Sequence, residues 1–186
     1  MLHVLDIAMN AVSAGARTVK ISIDEQPLRD CLMLLVADNG PGMSAEMVSA
    51  VRERFATTKT KKSGWVGFGI ALLQGTADLV GGEVALLSRV GRGTLVKTCL
   101  PFAHPDRPPL GAVAESLQPL FVGCVGVDVC FTHRVGEQTY RLDTRPVRRA
   151  LGAAYSTRSV QSWLLTRIRE GEATLAARGE GGHEPG

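Results

Sequence analysis

The sequence predicts an α+β fold, a two-layer sandwich with helices on one face of a mixed sheet, followed by a small α/β appendage. Helix and strand patterns come in the order helix, strand, strand, helix, helix, strand, strand, which is not the regular alternation of a doubly wound sheet. The length of 186 residues suits one domain of about 150 residues with a small addition. A proline-rich stretch over 102–111 separates the two parts.

The opening elements have clear periodicity. Apolar residues at spacings of three and four predict a helix over 2–16, with Asp6 and Asn10 on one adjacent polar stripe. Alternating β-branched residues predict a strand over 18–24. A continuous apolar run over 31–37 predicts a buried strand, which stops at the turn-forming sequence Asp-Asn-Gly-Pro-Gly.

Two helices and a hairpin complete the first part of the chain. Apolar spacing predicts helices over about 45–54 and 69–80, the second ended by two glycines. The Thr- and Lys-rich segment 55–67 between them is expected to be a flexible polar loop. Residues 83–89 and 94–100 read as two strands of a hairpin joined by a glycine-containing turn.

The C-terminal part has weaker but similar patterns. They predict, in order, a helix over 112–121, strands over 124–133 and 138–143, and helices over 145–153 and 157–171. We therefore expect four regions: a domain over 1–101, a linker over 102–111, a small α+β domain over 112–178 and a disordered tail over 179–186.

Composition excludes several classes of function. The net charge is only +3, from 21 basic and 18 acidic residues, so no nucleic-acid or membrane-surface partner is expected. No segment is apolar enough to span a membrane and no secretory signal is recognisable, so the protein is expected to be cytoplasmic. The four cysteines lack metal-ligand spacing and are expected to be reduced core thiols.

Common nucleotide motifs are absent, but four other features occur in a fixed order. The chain has no Gly-Lys dipeptide for a P-loop and no Gly-x-Gly-x-x-Gly fingerprint. The features present are the Asp6/Asn10 stripe, the turn Asp38–Gly42, the segment Gly64–Gly69 opening a helix, and Gly91–Thr94 opening a strand.

This order resembles the GHKL ATPase superfamily, which includes gyrase-type topoisomerases, heat-shock chaperones, histidine kinases and MutL. Residues 5–11 look like the asparagine box, 38–42 like the adenine-binding box, 67–70 like the glycine box, and 91–94 like the last box. The resemblance covers residues 2–101. It implies a Bergerat-type sandwich that binds ATP with Mg²⁺.

The resemblance implies a role for each matching residue. Asn10 would be a ligand of Mg²⁺, because its amide oxygen suits a hard cation that takes its other ligands from phosphates and water. Asp6 would activate water, although the family's hydrolases usually carry the longer Glu there. Asp38 would accept a hydrogen bond from the adenine amino group. Gly40 and Gly42 would leave room for the purine.

The remaining candidates surround the base and the phosphates. Met43 would form an apolar wall beside the purine, or simply belong to the core. Further candidates for nucleotide contacts are Thr58, Lys59, Gly67, Phe68, Gly69 and Thr94. The glycines precede a helix whose N-terminal amides can hold phosphate oxygens. Trp65 stands where histidine kinases have a further glycine.

Three functions are open at this stage. The chain could hydrolyse ATP slowly or use it as a switch in a bacterial regulatory protein. It could phosphorylate a protein in trans on serine or histidine, as anti-sigma-factor kinases do on serine, or bind ATP without hydrolysis. No phosphoacceptor or transducer domain is expected within 186 residues. An apolar stripe around Trp163 could dock a protein partner or a second copy, or pack internally.

Overall fold

The computed structural model describes residues 2–56, 68–124 and 126–180. Helices and strands account for most of these residues, together with single 3₁₀ turns at Pro27–Arg29 and Gly152–Ser156. In chain order they are α1 (Leu2–Ser13), β1 (Thr18–Gln26), β2 (Cys31–Asp38), α2 (Ala45–Ala56), α3 (Phe68–Val80), β3 (Glu83–Arg89), β4 (Gly93–Leu100), α4 (Val113–Gly123), β5 (Asp128–Val135), β6 (Gln138–Asp143), α5 (Thr144–Leu151) and α6 (Arg158–Glu180).

The strands form one mixed sheet in the order β3-β4-β2-β1-β5-β6. All neighbours are antiparallel except β1 and β5, which are parallel. Burial alternates along the strands, as expected for a sheet covered on one face. Helices α1, α3 and α6 pack on that face, and α4 packs against α1 and α6. The predicted α+β sandwich with a mixed sheet is therefore confirmed.

Strands from both sides of the predicted linker belong to the same sheet. Strand β5 pairs with β1 along its whole length, so Ile21 lies opposite Phe131. The hydrophobic core is also shared, because α4 packs against both α1 and α6. Residues from both sides of 102–111 thus build one sheet, and a domain boundary at this linker stays a sequence-based prediction.

Two predicted boundaries in the C-terminal part are wrong. Strand β5 begins at Asp128 rather than 124, because the N–H of Val127 donates to the carbonyl of Cys124 in a turn. Helix α6 continues to Glu180, past Gly171 and into the predicted tail. Gly171 is not a stop signal, because a Cβ there would lie 2.3 Å from the Tyr140 ring. Residues 181–186 lie outside the described residues.

The predicted core position of the cysteines is correct only for Cys124, which is buried. Cys31, Cys99 and Cys130 are half-buried on the sheet face opposite the helices. The apolar runs that contain them belong to strands, and alternate residues of a strand point to opposite faces. All four cysteines are free in the structure.

The apolar stripe of the last helix packs internally. Leu164 and Ile168 are fully buried, and Val160 packs against the core. Trp163 is the exception, since 48% of its surface stays exposed.

A buried histidine anchors α6 to the sheet. His133 lies on the covered face of β5 and is 4% exposed. Its Nε2 is 2.8 Å from Glu25 on β1, and its Nδ1 is 2.9 Å from Glu172 on α6. Burial by itself would lower the pKa of His133, but the hydrogen bonds to Glu172 and Glu25 outweigh it and raise the pKa to about 9.

This network predicts a pH-dependent stability. Because the folded pKa of His133 lies above its ordinary value of 6.5, its contribution is complete below pH 6.5 and disappears as pH rises through 9. We expect the free energy of unfolding to fall by about 3 kcal/mol over this range. Urea unfolding at several pH values should show this slope in the native chain and in His104→Gln, but not in His133→Gln. An equal slope in all three would contradict the assignment.

Candidate functional site

Three polar side chains form a row across the covered face at one end of the sheet. Ala37 pairs with Leu95, so the next residues, Asp38 and Thr94, lie side by side. Ser88 on β3 pairs in turn with Thr94. Asp38 is half-buried, and its Oδ1 accepts a hydrogen bond of 2.7 Å from the N–H of Gly40. A carboxylate at this end of the covered face can accept hydrogen bonds from the donor groups of a ligand.

Two glycines make the close backbone approach at this end possible. Gly42 has φ +66°, and a Cβ there would lie 2.0 Å from the carbonyl oxygen of Arg89. Gly93 has φ +90°, and a Cβ there would lie 2.0 Å from the carbonyl oxygen of Asp38. Both positions combine a left-handed conformation with a backbone contact, so only glycine fits. The turn after β2 is thereby held against the turn between β3 and β4.

Ser88 connects these elements and did not emerge from the sequence patterns. Its hydroxyl donates to the carbonyl of Gly93 over 3.0 Å and accepts from the N–H of Met43 over 2.8 Å. It also lies 2.9 Å from Thr94 Oγ1. Because the only hydroxyl hydrogen of Ser88 goes to Gly93, the Thr94 hydroxyl must be the donor in that pair. Thr94 therefore presents only lone pairs to a ligand.

A signal for Ser88 was present in the strand alternation. Val84 and Leu86 lie on the covered face of β3, and Ser88 continues this spacing of two as a polar residue. A polar residue at the end of an inward-facing row is a reason to look for a site.

Asn39 holds the turn after β2 to the start of β1. Its Oδ1 accepts hydrogen bonds from the N–H groups of Arg17 and Thr18, over 2.9 and 2.8 Å. The adjacent Gly40 packs against Ala16, where a Cβ would lie 3.5 Å from the alanine methyl group. The segment that connects α1 to β1 therefore lies directly beside this turn.

The polar stripe of α1 faces the start of α3. A Cβ on Gly69 would lie 2.7 Å from the Cβ of Asp6 and 3.0 Å from the carbonyl oxygen of His3. Asp6 is exposed and Asn10, one turn further on, is half-buried. The first N–H groups of a helix have no partner within it, so the start of α3 places N–H groups that its own helix does not use beside Asp6. Helix α1 and the segment that follows it thus connect this end of the site to the Asp38 end.

Two of the remaining candidate residues lie within the described part of the chain. Met43 is partly buried against the core, next to the Asp38 row. Phe68 begins α3. Thr58, Lys59 and Gly67 lie outside the described residues.

The family of the chain follows from residues 1–104, which match the family described as histidine kinase-, DNA gyrase B- and HSP90-like ATPases. This match covers more than half of the chain and includes every element of the site. The chain belongs to this ATPase family. Its α1, 38–42 turn, α3 start and β4 are therefore parts of an ATP-binding domain.

Several histidine kinases are similar to this ATPase domain. The sensor protein kinase FleS of Pseudomonas aeruginosa is 35% identical over 112 residues, 60% of this chain and 27% of FleS. The histidine protein kinase DivJ of Caulobacter vibrioides is 30% identical over 100 residues, 53% of this chain and 17% of DivJ. The chain thus spans about a quarter or less of the length of these relatives.

Solved structures of other ATPase domains are similar in fold. The MutL ATPase domain of Aquifex aeolicus complexed with ADP is 19% identical, with a TM-score of 0.44, over 83% of this chain and 67% of that one. The topoisomerase IV ATP-binding domain of Francisella tularensis is 16% identical, with a TM-score of 0.47, over 75% of this chain and 82% of that one.

The donor set of the ATPase site suits a cation shared with phosphates. Within the described residues, no group of three or more His, Cys, Asp or Glu side chains is arranged to hold a metal ion. Near α3 the chain offers the Asn10 amide and the Asp6 carboxylate. This set fits Mg²⁺, which keeps water and takes phosphate oxygens as ligands, better than a cation that needs an all-protein cage.

Membrane insertion has no candidate helix in the part of the chain that the structure describes. None of its helices has the length and apolar character that a membrane span requires.

Proposed function

We propose that this chain binds Mg²⁺-ATP and uses it for slow hydrolysis or as a switch in a bacterial regulatory protein. The observation that carries the proposal is the packing of Gly69 on Asp6. That contact puts the first N–H groups of α3 beside the polar stripe of α1. It brings together, at one end of an ATP-binding domain, N–H groups that can donate hydrogen bonds to phosphate, the Asp6 carboxylate and the Asn10 amide oxygen.

Adenine recognition is assigned to the other end of the site. One oxygen of Asp38 is used by the N–H of Gly40, which leaves Oδ2 to accept from the adenine amino group. Thr94 adds an acceptor in the same row, because its hydrogen points to Ser88. Gly40, Gly42 and Met43 would line the purine. Guanine carries a carbonyl at the corresponding position. This oxygen would face the acceptor oxygens of Asp38 and Thr94, with no donor between them.

The triphosphate is assigned to the α3 end. Gly69 and Phe68 would offer backbone N–H groups at the helix start, where the helix dipole also favours anions. Asn10 would hold Mg²⁺, which when bound neutralises phosphate charge. Thr58, Lys59 and Gly67 of the segment between α2 and α3 are proposed to reach the β- and γ-phosphates.

Asp6 is proposed as the group that accepts a proton from the attacking water. It lies at the junction of α1 and α3, close to where the phosphates would bind. Aspartate is one methylene shorter than glutamate, so its carboxylate reaches less far toward the γ-phosphate. We therefore expect turnover to be slow.

The test is phosphate release by the purified chain and by Asp6→Asn. We expect release to fall by about 100-fold or more in the variant, because a positioned general base contributes that much. ATP affinity should change by only a few-fold, since the amide keeps the shape of the carboxylate. Asp78→Asn, on α3 but hydrogen-bonded to Gln74, is the matched control. Equal turnover in all three proteins would remove Asp6 as the base.

Phosphotransfer to a protein is the second candidate, because the chain's relatives include protein kinases. The site suits both reactions, since phosphoryl transfer depends mainly on positioning and charge neutralisation. Incubation with γ-labelled ATP and cell extract distinguishes them. A labelled protein that disappears with Asp38→Asn supports transfer. ATP binding with neither hydrolysis nor labelling supports a pure binding module.

The location and partners are proposed from surface features. A cytoplasmic location agrees with the absence of a membrane-spanning helix among the described residues. A protein partner is proposed at the C-terminal region, where Trp163 on α6 and Val122 on α4 are half-exposed. A homodimer through this region is the alternative. Neither nucleic acid nor a membrane is proposed as a partner.

A further inference from the structure

Two cysteines lie together on the sheet face that the helices leave open. Cys99 on β4 pairs with Met33 on β2, and Cys31 is two residues before Met33, so both thiols point to the same face. Their Sγ atoms are 3.0 Å apart and hydrogen-bonded, although the residues are 68 positions apart in the chain. Both are half-buried and reachable from solvent.

The other two cysteines have different surroundings. Cys124 is buried, with its sulfur 3.9 Å from the sulfur of Met9 and 3.8 Å from the carbonyl of Pro119. Cys130 lies on the open face but pairs with Lys20 of β1, and its sulfur contacts Asp143. Only Cys31 and Cys99 among the four have a second thiol within reach.

The distance between the two sulfurs suits a covalent bond. A disulfide has sulfur atoms roughly 2.05 Å apart, so the thiols need to approach by about 1 Å. They lie on neighbouring strands at diagonal positions of the ladder, because Cys99 pairs with Met33 and Cys31 is two residues before it. The two side chains therefore reach along the strands as well as across them to meet. Sharing a hydrogen bond with Cys99 raises the pKa of Cys31 to about 11, as expected for two adjacent thiols that resist a second charge.

We propose that Cys31 and Cys99 are a thiol modification site. The two cysteines form a reversible disulfide with each other, and a small-molecule disulfide such as oxidised glutathione is the oxidant. One thiolate attacks a sulfur of the oxidant, which forms a mixed disulfide and releases one glutathione thiol. The second cysteine then attacks the protein sulfur of this mixed disulfide and expels the second glutathione. The two cysteines lose two electrons and two protons, and oxidised glutathione is reduced to two thiols.

The bond would stabilise the fold without altering the nucleotide site. Cys31 begins β2 and Asp38 ends it, so the disulfide would lie seven residues, or roughly 23 Å, from the adenine end. The closed loop would run from residue 31 to 99 and contain Asp38, Gly69 and Thr94. Closing so long a loop restricts the unfolded chain. The proposal does not depend on the assignment of the ATP site.

The experiment compares the native chain with Cys31→Ser, Cys99→Ser and Cys130→Ser, each treated with oxidised glutathione. We expect the native chain and Cys130→Ser to lose two hydrogen atoms by mass spectrometry and to regain them with dithiothreitol. Their thermal midpoints should rise by roughly 5 to 10 °C on oxidation. The other two variants should show neither change, and ATP affinity should be the same before and after oxidation.

Three outcomes would overturn the proposal. They are a stable glutathione adduct on the native chain in place of the internal bond, a disulfide-linked dimer, and the same loss of hydrogen in Cys31→Ser. Because the mass is read without nucleotide, failure here is separate from failure of the ATP assignment. Thermal midpoints of the reduced variants show that each one folds.

Discussion

Gly93→Ala is expected to abolish measurable ATP binding and to lower the free energy of unfolding by about 3 kcal/mol. The new Cβ would lie 2.0 Å from the carbonyl oxygen of Asp38, and φ is +90°. The position of a Cβ is fixed by its own backbone, and its partner here is a backbone carbonyl, so no side-chain rotation can relieve the collision. The start of β4 would have to separate from β2 at the position where Asp38 and Thr94 meet. Chemical denaturation and calorimetric ATP titration measure the two effects.

Gly91→Ala is the matched control for this substitution. Gly91 also has a positive φ, +72°, but a Cβ there would meet no atom within 4 Å. The control therefore includes the conformational cost of roughly 1 kcal/mol without the collision. We expect Gly91→Ala to keep ATP affinity within a few-fold. Similar losses in both variants would mean that the Gly93 contact with Asp38 is unimportant.

Asp38→Asn is expected to weaken ATP binding by roughly 10- to 100-fold, which corresponds to about 1.5 to 3 kcal/mol for a hydrogen bond to a charged group. The carboxylate serves two donors at once, the N–H of Gly40 and the proposed adenine amino group. Asparagine has only one acceptor oxygen, so its NH₂ group must face one of these donors. Preference for ATP over GTP should decrease with the affinity. Titrations with both Mg²⁺-nucleotides measure this.

Asp106→Asn removes the same charge at an exposed position between β4 and α4 and serves as the control. It should bind ATP like the native chain. If Asp38→Asn also bound ATP normally, or if native protein bound GTP as well as ATP, Asp38 would lose its assignment to adenine.

Much of the fold was predictable because it depends on local patterns. The alternation of Val19, Ile21 and Ile23 and the apolar run before Asp38 were sufficient to locate β1 and β2. The order of polar and glycine residues in the first hundred positions was sufficient to propose the family, which the match over residues 1–104 confirms.

Prediction failed where a distant contact overrides the local signal. Gly171 resembles a helix end, but it lies inside α6 because the Tyr140 ring occupies the space of a side chain. Ser88 resembles an ordinary strand residue, and its importance depends on Met43, 45 positions away. The alternation along β3 marks Ser88 as an inward-facing polar residue, but neither its partner Met43 nor the partner Tyr140 of Gly171 follows from periodicity or composition.

The sequence by itself determined the α+β class, the order of the ATP-site motifs and the chemical type of each candidate residue, because turn chemistry and side-chain periodicity are local properties. Only the tertiary structure decided that β5 joins β1 in one sheet, that Ser88 orients Thr94, and that Cys31 meets Cys99. These three features depend on strand partners and register across long separations. Strand register is set by the packing of whole faces, which no short stretch of sequence specifies alone.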